Sequence, residues 1–163
     1  FVRMEGILVP YIHGGGKIGV MVRAESPAGA IPEILAAAKD CALQVAAMNP
    51  PYLKREDVPA AVLDEEKKII LAQMAEDPKM ANKPEQVKEK IAAGKVGKYY
   101  GENCLLEQAF VKENKETVQS YVDGVAKAAG TTIAITDFVR FERGEGIEKK
   151  ADNFAEEIAS MIK

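Results

Sequence analysis

Near its start the chain alternates between apolar and polar residues, which is the pattern of a half-buried β-strand. The alternation occupies KIGVMVRAES, and its apolar positions are Ile18, Val20, Val22 and Ala24. The preceding run FVRMEGILVPYIH is apolar and β-branched, so the glycines between the two runs are predicted to turn one strand into the next. A third strand is predicted in TTIAITDFVRFERGEG. One face of that strand is expected to carry Ile133, Ile135, Val139 and Phe141.

Three other stretches have apolar residues at helical spacing. IPEILAAAKDCALQVAAMN is predicted to begin near Pro32 and to end before Pro50. NKETVQSYVDGVAKAAG is predicted to form a helix from Asn114 to Gly130. The tail IEKKADNFAEEIASMIK predicts an amphipathic terminal helix, which either docks on its own domain or binds a partner.

The middle of the chain predicts a pair of helices of a different kind. Residues 59–76 and 84–100 are rich in Lys, Glu and Ala, and each run has only a narrow apolar stripe, as in a coiled-coil seam. The turn DPKMANKP separates them, with Asn82 as the expected N-cap. Two helices joined by a short turn are expected to pair antiparallel, so the segment should project from the domain as a helical hairpin.

These elements predict an α+β fold with a small three-stranded antiparallel sheet packed against helices. The core is assigned to residues 1–51 and 104–147, the inserted coiled-coil hairpin to residues 52–103, and the C-terminal helix to residues 148–163. The chain opens on FVRMEG, inside an apolar strand and without an initiator methionine. We therefore expect it to be a piece of a longer protein.

Composition narrows the possible functions. A formal net charge of -3 and a pI near 5.4 argue against a general nucleic-acid binder. We find no apolar run long enough for a membrane helix and no signal-peptide pattern, so a cytoplasmic protein without a membrane partner is expected. Cys41 and Cys104 lack Cys or His neighbours at metal-ligand spacing, and both are interpreted as reduced thiols.

The stretch YIHGGGKIGV contains three glycines, a lysine and the only histidine. A Walker phosphate loop needs a Ser or Thr after its Gly-Lys pair, but Ile18 stands there, and a strand pattern follows where a dinucleotide loop needs a helix. The turn is therefore interpreted as a hairpin, and an enzyme with a catalytic set of residues or a cofactor is not expected. A small phosphate-binding enzyme built on Gly14 to Lys17 remains an alternative.

The segments YIHGGGKIGVMV, QAFVKE and FVRFERGEGIEKK, in this order around a charged helical hairpin, resemble the C-terminal part of the translation elongation factor Ts family. The resemblance implies a guanine nucleotide exchange factor that binds elongation factor Tu in its GDP and nucleotide-free forms and speeds GDP release. Such a factor makes and breaks no covalent bond, because preferential binding to the nucleotide-free state lowers nucleotide affinity reciprocally.

The resemblance also implies where the partner binds. It places contacts at the histidine of the glycine turn, in the Phe-Val segment and in the terminal helix. The expected contact residues are Tyr11, His13, Gly14, Phe110, Val111, Phe154, Ile158 and Met161.

The tetrapeptide TDFV at residues 136–139 reproduces a family motif but is interpreted differently. In the family the Asp-Phe wedge precedes the glycine turn, whereas Asp137 and Phe138 lie in the predicted third strand. The true wedge is therefore expected upstream of Phe1, and this chain is predicted to dock with little exchange activity. The alternative is a self-association module, a homodimer in which the hairpin and the sheet edge pair two copies of the chain.

Overall fold

The computed structural model describes residues 1–81 and 83–147. The strands are β1 (Ile7–His13), β2 (Ile18–Glu25), β3 (Ala109–Phe110), β4 (Glu113–Thr117) and β5 (Ala134–Glu142). The helices are α1 (Pro32–Met48), α2 (Ala60–Glu76), α3 (Pro78–Ala81), α4 (Glu85–Asn103) and α5 (Val118–Ala128). The predicted terminal helix, with Phe154, Ile158 and Met161, lies outside the described residues.

β1, β2 and β5 form an antiparallel sheet with β2 in the centre. The period-two prediction for β2 is confirmed, because Val20, Val22 and Ala24 are buried on one face. α1 packs on β1 and β2 and also on α5, so that helices cover this face. The α+β architecture predicted from the sequence is therefore confirmed.

The prediction that one face of the third strand carries all four apolar residues is wrong. Ala24 pairs with Ile135 but Arg23 pairs with Asp137, so β5 contains an extra residue at Thr136. Such a bulge reverses the face on which the following side chains lie. Ile135 is buried in the core, whereas Phe141 is 55% exposed. Arg23 Nε donates a 2.8 Å hydrogen bond to Thr136 Oγ1, which holds the bulge.

The helix predicted from Asn114 begins later. Asn114 lies in β4, which pairs with β3 in a small second sheet that the sequence pattern did not predict. Thr117 is the N-cap of α5, and its hydroxyl accepts a hydrogen bond of 3.2 Å from the amide of Ser120. α5 then buries Val118 and Val122 against α1.

The middle helices form a pair, as predicted. α2 and α4 pack against each other, and Ile70 and Met74 of α2 are buried. The chain enters and leaves this segment at one place, because Tyr52 N donates to Asn103 O at 3.2 Å and Leu105 N donates to Tyr52 O at 2.9 Å. Asn82, the expected N-cap of the second helix, is outside the described residues. The coiled-coil geometry of the pair stays a prediction.

Within residues 1–81 and 83–147, no helix has both the length and the apolar character that a membrane crossing requires.

Candidate functional site

The glycine turn joins β1 to β2 with a backbone that favours glycine at three successive positions. Gly14, Gly15 and Gly16 have φ angles of 60°, 64° and 88°, values that cost residues with a Cβ atom free energy. The amide of Lys17 donates to Gly14 O at 3.4 Å, and Lys17 O accepts a 2.8 Å hydrogen bond from Arg143 N after β5. The turn is thus tied to two strands.

His13 is the last residue of β1 and is exposed beside this turn. Its Nδ1 lies 3.2 Å from the hydroxyl of Tyr11, and the centroids of the two rings are 5.9 Å apart. Tyr11 is half-buried and packs on the core cluster. A ring anchored in the core therefore orients the exposed imidazole, which leaves His13 available for an external contact.

Phe110 and Val111 belong to a different turn, between β3 and β4. Phe110 is 2% exposed and stacks on Tyr121, with ring centroids 4.2 Å apart and planes at 19°. The ring of Phe110 therefore lies in the core, and its expected contact with a partner stays a prediction. Val111 is half-buried, and its amide donates to Gln44 Oε1 at 2.9 Å.

The structure brings together Tyr11, His13 and Gly14, but it places Val111 on a separate turn. Among the described residues, no hydrogen bond or aromatic contact joins the two groups. A partner that uses both turns must therefore be large enough to touch two distinct parts of the surface.

Charged groups fix the turn that carries Val111. Asp40 accepts hydrogen bonds from Lys112 Nζ at 2.5 Å and from the hydroxyl of Tyr121 at 2.7 Å. Burial, followed by the hydrogen bond to Asp40, raises the pKa of Tyr121 above its usual value. The phenol therefore stays protonated and keeps donating to the carboxylate at physiological pH.

Sequence reasoning missed Gln44, whose side chain is fully buried and contacts this second turn. A signal was present in the sequence, since Gln44 interrupts an otherwise apolar helix face next to Cys41 and Val45. A buried polar side chain on such a face needs partners and often has a specific role.

The glycine turn differs in structure from a phosphate-binding loop. The glycines lead into strand β2, so no helix N-terminus follows them to hold a phosphate. In the part of the chain that the structure describes, no three His, Cys, Asp or Glu side chains group as metal ligands. Cys41 and Cys104 are both buried free thiols, and the burial of Cys41 is as predicted.

The sheet face opposite α1 carries an apolar groove with a volume of about 600 Å³. Its walls include Pro10, Ile12, Met21, Val139 and Phe141, and the N-terminal residues Phe1 to Met4 border it. Ile12 is 68% exposed, so the described residues leave this face partly uncovered. Exposed apolar areas of this kind are typical of interaction surfaces.

Comparison with known proteins identifies the family. The sequence model of the family described as Elongation factor TS matches residues 1–145. The chain is 47% identical over 159 residues to Elongation factor Ts of Clostridium kluyveri, covering 97% of this chain and 50% of the relative. It is 43% identical to Elongation factor Ts of Syntrophotalea carbinolica, covering 98% of this chain and 51% of the relative.

A third relative, Elongation factor Ts of Syntrophomonas wolfei, is 43% identical over 165 residues, covering 99% of this chain and 75% of the relative. The chain thus spans about half the length of the first two relatives. Because the family match extends over most of the sequence and includes both turns and the helical pair, the chain belongs to the elongation factor Ts family.

Proposed function

We propose that this chain is the docking part of a guanine nucleotide exchange factor that binds elongation factor Tu during translation elongation in the cytoplasm. Membership of the elongation factor Ts family supports the partner and the process. The observation that carries the site is His13, an exposed side chain oriented by the half-buried Tyr11 beside the glycine turn.

In this proposal the chain works by binding alone. A protein that binds nucleotide-free elongation factor Tu more tightly than the GDP form lowers GDP affinity by the same factor. His13 and Gly14 form one contact, and Val111 forms a second, with Phe110 supporting it from the core. The terminal segment with Phe154, Ile158 and Met161 would supply a third, apolar contact. The expected Asp-Phe wedge is not provided by Asp137 and Phe138, which are strand residues in β5.

Titration of the chain into elongation factor Tu loaded with fluorescent GDP tests the proposal. Complex formation is recorded by a change in molecular mass, and GDP release is recorded by fluorescence in the same samples. Formation of a complex with little acceleration of release is the expected result. If no complex forms with either the GDP form or the nucleotide-free form, the proposal is wrong.

Self-association is the second candidate, and the apolar groove favours it. The exposed Ile12 and Phe141 lie on a sheet face that the described helices do not cover. Two copies that paired through this face would remove apolar surface from water, which is the main driving force for obligate association. The two functions are compatible, since the groove and the glycine turn are different surfaces.

A further inference from the structure

Gln44 is a fully buried polar residue on the apolar inner face of α1. Burying an amide without hydrogen bonds is unfavourable. The hydrogen-bond partners of Gln44 therefore indicate the role of its side chain.

Gln44 makes three hydrogen bonds, and both of its N–H groups are used. Nε2 donates to Gln108 Oε1 and to Ala109 O, both at 3.1 Å, and Oε1 accepts from Val111 N at 2.9 Å. The orientation of the amide follows from the backbone groups alone, because Val111 N–H needs an acceptor and Ala109 O needs a donor. Gln108 continues the chain of bonds, since its Nε2 donates to Glu102 O at 2.9 Å.

The turn that carries Val111 is thus held from several sides. Gln44 binds its backbone, Asp40 binds Lys112, and Phe110 stacks on Tyr121. Of these contacts, only the hydrogen bond that Gln44 Oε1 accepts involves the backbone N–H of Val111 itself. The side chain of Val111 remains half-buried at the surface while its main chain is fixed.

We propose that Gln44 is a positioning residue that holds Val111 in the conformation in which it binds the partner. This inference rests on the proposed function, in which Val111 contacts elongation factor Tu. A contact that is already ordered before binding loses less conformational entropy in the complex. If the β3–β4 turn has the binding conformation in only a fraction of the molecules, the apparent dissociation constant is the intrinsic value divided by that fraction.

The test compares two variants of the whole chain that disturb the same buried network. Gln44→Met removes the bond to Val111, whereas Gln108→Met removes a neighbouring buried amide and leaves that bond in place. Two quantities are measured, namely the hydrogen-exchange rate of the Val111 amide in the free chain and the dissociation constant for nucleotide-free elongation factor Tu. Gln44→Met should speed exchange by about tenfold or more and raise the dissociation constant by about fivefold or more. Gln108→Met should change both by less than about twofold.

A further variant separates positioning from a general loss of stability. In a Val111→Ala background, Gln44→Met should have a much smaller effect on affinity, because the side chain that it positions is gone. Gln44→Leu also removes the acceptor for the Val111 amide with an apolar side chain of similar size, so it replaces Gln44→Met if that variant does not fold.

The outcomes distinguish this inference from the proposed function. Equal effects of Gln44→Met and Gln108→Met, or an undiminished effect in the Val111→Ala background, would overturn the positioning role while leaving the proposed function intact. No complex with the unmodified chain would overturn the proposed function, and the inference with it.

Discussion

Arg55 and Glu107, 52 residues apart in the chain, form a two-pronged ion pair at the base of the helical hairpin. Nε and one terminal nitrogen of Arg55 donate to the two carboxylate oxygens at 2.7 and 2.6 Å. The guanidinium also lies 5.0 Å from the ring centroid of Tyr100 in α4. The hydrogen bond to Glu107, followed by its charge, raises the pKa of Arg55. These contacts fasten the segment before α2 to the segment after α4.

Glu107→Gln should loosen this base without affecting the sheet, because it removes the charge that holds the guanidinium. Hydrogen exchange should become faster at the ends of α2 and α4 nearest the core, and the amides of β2 should not change. The difference should shrink in concentrated salt, which screens such exposed pairs. Glu102→Gln is the matched control, since its partner Lys98 lies on the same helix. Equal effects of the two substitutions would show that the Arg55–Glu107 pair does not hold the base of the helical pair.

His13→Ala should weaken binding to elongation factor Tu while leaving folding almost unchanged. His13 is exposed, and substitutions at such positions usually change stability by less than about 0.5 kcal/mol. Tyr11→Phe should give a smaller loss of affinity, because it removes the hydroxyl beside His13 but keeps the core ring. Lys39→Ala, at an exposed position on α1, serves as the control. Affinity is measured by titration into elongation factor Tu loaded with fluorescent GDP. If the His13 variant binds as tightly as the unmodified chain, His13 does not contact the partner.

Gly15→Ala and Gly97→Ala should have opposite effects on stability. A Cβ atom at either position meets no atom within 4 Å, so steric crowding is the same. Gly15 has a φ of 64°, where alanine costs about 1–2 kcal/mol. Gly97 lies in α4, where alanine is favoured by about 1 kcal/mol over glycine. Thermal unfolding of both variants checks the prediction, and a loss of stability for both would show that the helical site has another constraint.

If the chain forms a dimer through the apolar groove, a single charged substitution in the groove should disrupt that dimer. If two copies pair through this face, Phe141→Glu should convert a concentration-dependent dimer into a monomer in analytical ultracentrifugation, because a charge cannot be buried there unpaired. Ile69→Glu is the control, since Ile69 is 44% exposed on α2, outside the groove. A monomer at every concentration for the unmodified chain would exclude the self-association function.

The two buried thiols should lower the free energy of unfolding at alkaline pH. Burial, followed by the charge of Asp40, raises the pKa of Cys41 to about 12, and burial, followed by Glu107, raises that of Cys104 to about 11. Above pH about 9 the unfolded chain loses these protons while the folded chain keeps them, so the free energy of unfolding falls as pH rises. Cys41→Ala should make this decline less steep, as measured by urea unfolding between pH 8 and 11.

Both thiols should react with a disulfide reagent only after unfolding. Rapid reaction of the folded chain at pH 8 would show that one of the two is more accessible than the structure indicates.

The sequence predicted those elements whose apolar residues follow one regular period. β2 alternates without interruption, and the pattern of α5 leads to Val118 and Val122, both buried. β4 was missed because Glu113–Thr117 is polar throughout and pairs through its backbone, which leaves no apolar period. The bulge at Thr136 was missed because the apolar residues on both sides of it, Ile135 and Val139, are an even number of positions apart. Such spacing is what an uninterrupted strand would show. The polar Asp137, between Ile135 and Val139, was the sign of the interruption.

The contact residues stay a prediction, and the structure adds only where their side chains lie. Family resemblance pointed to His13 and Val111, and the structure gives both a surface position that fits the proposal. It could not show that Phe110 faces inward, because that depends on Tyr121 of α5 stacking against it. Gln44 was missed because its contacts, up to 67 residues away, follow from the packing of α1 on the β3–β4 turn.

The backbone bonds that join Tyr52 to Asn103 and Leu105 predict that the paired helices α2 and α4 can be replaced as a unit. A short linker from Leu53 to Cys104 would close the gap that removing residues 54–103 leaves, and shorter loops cost less entropy to close. Natural or engineered chains could therefore lengthen, shorten or exchange this arm without changing the register of the sheet. A fluorescent or affinity domain could be grafted at the same junction.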